Sequence, residues 1–134
     1  MAAKIAVVRD AVARVQSVLP TSVDTFRGDR TAREIVTLNL FVAIQECVAL
    51  ASHVIADAGW SVPKSYGETF ELLARHGIMD PNLAVQLRAA AGLRNLLAHQ
   101  YGVVDFDRLF EFARANTTDL TTFCAVIARL AAKG

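Results

Sequence analysis

The chain has 134 residues, 54 % of them hydrophobic, with 7 Gly and 3 Pro. That is enough for one domain, residues 1–134, with a real core, and it excludes a loop-rich or disordered protein. Fourteen Lys and Arg against 13 Asp and Glu leave a net charge of +1, which excludes nucleic-acid binding by bulk charge, so any RNA contact has to use a local patch.

Read in chain order, Ile5, Val8, Val12, Val15 and Leu19 recur at spacings of three and four, predicting a first helix from Ala3 to Leu19 that Pro20 stops. Thr21 to Asp29 mixes Thr, Ser, Asp and Gly and reads as a connecting loop. Asp29 or Thr31 then caps a long second helix through Ile35, Leu38, Phe41, Val42, Val48 and Ile55, ending near Gly59. Its length would span a bilayer, but Asn39, Gln45, Glu46, Ser52 and His53 would be penalised by lipid, so it reads as a central core helix and no membrane is expected. Apolar residues on more than one of its faces call for burial by the bundle or by a second subunit.

The loop from Gly59 to Gly67 leads to a short helix from Glu68 to His76, closed by Gly77. Asp80-Pro81 is a helix start, and Leu83, Leu87, Leu93 and Leu97 continue that helix. After Gly102, Asp105 or Asp107 caps a last helix carrying Leu109, Phe110, Leu120, Phe123 and Ile127, with a bend expected at 115–118. No run alternates long enough for a strand, so the class is all-α, an antiparallel bundle of four to five helices. Cys47 and Cys124 lie in apolar stretches without metal-clip spacing and read as buried free thiols. With no signal-peptide core after Met1, they make a cytoplasmic location the expectation.

The chemistry concentrates in Arg94-Asn95-Leu96-Leu97-Ala98-His99-Gln100-Tyr101. An arginine grips phosphate with a planar fork, an imidazole moves protons near neutral pH, and a phenol donates a hydrogen bond or accepts a modification. On an ideal helix Arg94 and His99 point about 140° apart, so they converge only if the arginine reaches around or the last turn loosens before Gly102. The same residues also fit a plain helix terminus, where cations complement the negative dipole end. His53 and His76 read as structural. Lys64 and Tyr66 fit either RNA contact or turn packing, and Asn39, Gln45 and Glu46 either an inter-helix network or a cleft wall.

Arg94-Asn95, then three residues, His99, one residue and Tyr101 resembles the R-N-x-x-x-H-x-Y signature of HEPN-domain proteins, specifically the HepT-like ribonuclease toxins. Asp29-Arg30, the segment from Pro63 to Glu68 and the Gly77-Ile78 break extend the resemblance over most of the chain. It implies a HEPN-like helical homodimer acting as a metal-independent endoribonuclease, without cofactor, on RNA such as tRNA. Arg94 and His99 would be catalytic, Asn95 and Arg30 would orient or bind substrate, and Tyr101 would bind substrate or accept AMP. The implied partner is a minimal nucleotidyltransferase antitoxin of the MntA kind. The alternative is a non-catalytic module that binds such a transferase.

Overall fold

The computed structural model describes residues 1–99 and 105–133, with His99 described by its backbone alone. Helix α1 (Ala2–Val18) buries Ile5, Val8, Val12 and Val15, the stripe its spacing predicts, and ends where Leu19 turns extended before Pro20. The expected loop after it contains a helix, α2 (Val23–Gly28). Ser22 Oγ accepts from the Thr25 amide at 3.2 Å, which satisfies an orphan donor of the first turn. Fully buried Phe26 then anchors this helix, packing on Phe110 at 5.5 Å and edge-on to Phe106 at 6.4 Å between ring centroids. So short a helix is marginal alone, and tertiary packing on Phe26 holds it.

Helix α3 (Arg30–Ala58) begins where the Asp29 carboxylate accepts from the Ala32 amide at 3.0 Å, and it ends at Gly59, whose φ of +76° suits a residue without Cβ. At 29 residues it is the longest helix described. It buries Val36, Leu40, Ile44, Cys47, Ala51 and Ile55 and touches every other helix of the described chain, as expected of a core helix. Its most extensive partner is α1, which lies along it.

Helix α4 (Tyr66–Arg75) starts two residues before the expected Glu68, because Ser65 caps it and Glu68 reaches back to the residue before the cap. Ser65 Oγ accepts from the Glu68 amide at 3.2 Å, and Glu68 Oε2 accepts from the Lys64 amide at 3.0 Å. Helix α5 (Pro81–His99) opens with Asp80 Oδ1 accepting from the Asn82 amide at 2.7 Å. The expected last helix is two, α6 (Phe106–Ala115) and α7 (Thr117–Lys133), broken at Asn116 within the predicted bend. Asp105 caps α6 through the amides of Asp107 and Arg108, both at 3.1 Å. The break lets α6 lie against α2 while α7 packs on α1, α3 and α5.

The bundle is thus all-α among the described residues, with α2 added to the helices legible in the periodicity and the expected last helix divided into α6 and α7. A single apolar cluster runs through it, including Leu40, Ile44, Phe70, Leu87, Leu109 and Phe123. Burying each such side chain stabilises the fold by roughly 1.5–3 kcal/mol.

Candidate active site

Arg94 and Asn95 sit in the C-terminal half of α5, where α3 and the first turn of α4 close around them. Gly67 permits that approach: a Cβ there would stand 2.9 Å from Arg88 Cγ on α5, and Arg88 in turn pairs with Glu71 of α4. The first residue of α4, Tyr66, is thereby brought over α5.

The Arg94 side chain is half-buried and held on four sides. Its Nε donates to Gln45 Oε1 of α3 at 2.8 Å, and its Nη1 donates to Asn95 Oδ1 at 3.1 Å. The guanidinium carbon lies 4.9 Å from the centre of the Tyr66 ring and 5.2 Å from that of Phe41. Ring faces carry negative quadrupole density and attract a cation without cancelling its charge. All four of these contacts, made among the described residues, are therefore electrically neutral.

Most other arginine pairings described here involve carboxylates: Arg14 with Asp10, Arg27 with Asp24 and Asp107, Arg30 with Glu34, Arg88 with Glu71 and Arg114 with Glu111. Arg33 differs again, lying 4.6 Å over the Phe106 ring with its Nε buried and without a hydrogen-bond partner among the described residues.

Beside Arg94 runs a groove of about 520 Å³ whose lining includes Arg30, Arg33, Leu38, Phe41, Leu97 and Phe106. Phe41 belongs to both, with Arg94 over its ring and its side chain in the groove wall. Arg30 stands on the groove, exposed and paired with Glu34 at 2.8 Å. Leu38 in the same wall is 62 % exposed, a large apolar side chain left to solvent by the single chain.

Of the residues singled out from the sequence, Arg94 and Asn95 are joined by a hydrogen bond, and Arg30 lines the groove on the same α3 wall as Phe41, the residue that Arg94 covers. The His99 side chain and Tyr101, with the expected loosening of the helix before Gly102, lie outside the described residues. His53 pairs with Asp57 one turn along α3 at 3.2 Å, and His76 stacks on Trp60 with ring centroids 3.6 Å apart, so both have structural partners. Cys47 and Cys124 are buried and free. The hydrogen bond with Cys124 and then burial raise the Cys47 thiol well above its ordinary value, keeping it protonated. Among the described residues no His, Cys, Asp and Glu cluster is arranged to hold a metal ion.

Sequence reasoning placed Gln45 in a network or cleft wall and Tyr66 in packing or RNA contact, but did not join either to Arg94. The available signal was an amide on an apolar helix, a feature Gln45 shares with Asn39. Phe41 was read only as core.

Comparison with known proteins agrees with this fold. The family described as Ribonuclease HepT-like matches residues 8–127. The mRNA nuclease HepT of Shewanella oneidensis is 28 % identical over 124 residues, covering 92 % of each chain. A putative RNase of Archaeoglobus fulgidus is 36 % identical over 67 residues, half of each chain. Among solved structures, the tri-AMPylated HEPN toxin of Shewanella oneidensis in complex with its MNT antitoxin superposes with a TM-score of 0.85 at 28 % identity, over 94 % of each chain. A toxin–antitoxin complex with AMP-PNP gives 0.86 at 27 % identity, over 94 % of this chain and 95 % of the other. A family match over nearly the whole chain, on a helical fold that presents Arg94 from the R-N-x-x-x-H-x-Y motif, means that this chain belongs to the HepT-like ribonuclease family.

Proposed function

We propose that the chain is a metal-independent endoribonuclease toxin that works in the cytoplasm as a homodimer on RNA. The observation that carries this reading is the Arg94 guanidinium, fixed by neutral groups on the helix that leads directly into His99. In the proposed reaction the ribose 2′-oxygen attacks the adjacent phosphorus, the 5′-oxygen leaves, and a 2′,3′-cyclic phosphate remains. One His99 imidazole takes the 2′-hydroxyl proton and the partner subunit's His99 protonates the leaving oxygen. Arg94 stabilises the charge that gathers on the nonbridging oxygens, contributing about 3–4 kcal/mol if it resembles other single oxyanion donors. Asn95 orients Arg94, and Arg30 receives RNA along the groove.

Dimerisation is supported by the exposed Leu38 and the apolar groove wall around it, next to the arginine that has to meet its counterpart. The partner that silences the enzyme is a nucleotidyltransferase antitoxin, which places AMP on Tyr101 and so adds bulk and negative charge where RNA docks. The MNT antitoxin bound to the AMPylated Shewanella relative supports that pairing.

Purified protein incubated with RNA in excess chelator should cleave it and leave cyclic phosphate ends, while Arg94→Ala and His99→Ala should not. Cleavage that chelation abolishes, or that survives in both variants, would overturn the proposal.

A further inference from the structure

We propose that Gln45 and Tyr66 are positioning residues for RNA cleavage: they hold the Arg94 guanidinium in place through neutral contacts, leaving its Nη end and its full charge for the scissile phosphate. This rests on the reading of Arg94 as the phosphate-gripping group.

A guanidinium can meet an anion side-on, through Nε and one Nη, or end-on through both Nη groups. Gln45 Oε1 already occupies Nε at 2.8 Å, so the side-on edge is taken. Asn95 takes one proton of Nη1, and the donors without a partner among the described residues lie at the Nη end. The Tyr66 ring at 4.9 Å and the Phe41 ring at 5.2 Å restrict the plane of the group. Between them these contacts fix the reach, the edge and the tilt of the fork, which is the kind of orientation that lowers a barrier before any chemistry occurs.

The choice of an amide at position 45 is the informative part. A carboxylate there would accept the same hydrogen bond and hold Arg94 more strongly, as Asp107 holds Arg27. It would also cancel the charge that the phosphorane needs. Gln45 supplies the acceptor and withholds the charge. Tyr66 follows the same logic with a ring face, and its own place is set by the Ser65–Glu68 cap and by Gly67 against Arg88.

The test measures single-turnover and steady-state cleavage of a defined RNA by Gln45→Leu, Gln45→Glu, Tyr66→Leu and Tyr66→Phe, each checked by circular dichroism and thermal melting. Gln45→Leu should lower kcat about tenfold with little change in KM, because the charge remains but is misaligned in the transition state. Gln45→Glu should lose at least as much activity while melting at or above the wild-type temperature. A purely structural amide predicts the opposite, since glutamate offers the same acceptor. Tyr66→Phe should recover most of what Tyr66→Leu loses, and this pair carries the test if Gln45→Leu fails to fold. Wild-type rates in Gln45→Glu, or equal rates in Tyr66→Leu and Tyr66→Phe, would overturn the positioning role while leaving the nuclease reading intact. Absence of cleavage by the wild type would instead remove the reading on which it rests.

Discussion

Arg27 and Arg94 each join separate helices, but they do so with opposite chemistry. Arg27 ties α2 to α6 through a two-pronged grip on Asp107, at 2.8 and 2.6 Å, and adds Asp24 at 2.7 Å. Arg94 ties α5 to α3 and α4 through an amide oxygen and two aromatic faces. The first arrangement neutralises its cation and serves the fold. The second restrains its cation and keeps it charged, which is costly unless an anion is to be bound there. The difference shows how a chain with a net charge of only +1 can still carry a site for a polyanion.

Removing each guanidinium in turn is the strongest way to break that contrast. Arg94→Ala should reduce RNA cleavage by about 100- to 1,000-fold, the scale of a lost oxyanion donor, with a melting temperature near wild type. Arg94→Lys should recover little, because a point charge does not reproduce the planar fork. Arg27→Ala should do the reverse, lowering the melting temperature while the folded protein keeps its cleavage rate. A folded Arg27→Ala protein that no longer cleaves would end the division between a structural and a functional arginine.

The α2–α6 side can also be probed through its apolar anchor. Phe26 is fully buried against Phe106 and Phe110, so Phe26→Ala should destabilise the protein by about 3–5 kcal/mol in urea unfolding. A loss below about 1 kcal/mol would mean that α2 collapses onto the cavity and that its helix is incidental.

These two regions also differ in how far the sequence revealed them. Several helix ends were legible from local caps: Asp29, Asp80 and Asp105 accept from amides two or three residues on, and Gly59 and Gly77 carry the positive φ that stops a helix, whereas the equally local serine caps at Ser22 and Ser65 were not picked out. Helix α2 was hidden because six residues show too little periodicity and its anchor is a contact between Phe26 and α6. At the site, the motif picked out Arg94 and Asn95 as neighbours along one helix. The Gln45–Arg94 bond joins residues 49 positions apart and exists only once α3 and α5 are packed, so no local spacing announces it. Tyr66 reaches Arg94 across the packed α4–α5 contact, where a residue without Cβ follows it against Arg88.

The smallest predicted effect sharpens the charge side of the comparison through pH. Hydrogen bonding from Arg27 holds the Asp107 carboxyl below the usual carboxylate range, outweighing desolvation, and the guanidinium's charge adds to it. Because the folded-state value is depressed, the unfolded chain binds the proton more readily. The contribution to stability is complete above the unfolded carboxylate's pKa of about 3.9 and is lost as pH falls through the folded value. Asp107→Asn should therefore melt below wild type by a constant margin from neutral pH down to about pH 5, and the margin should close in stronger acid. The pair is exposed, so the margin should be small and should shrink in salt. A margin that persisted unchanged into acid and high salt would assign it to packing around α6, and Arg27 would then cease to be the neutralised counterpart of Arg94.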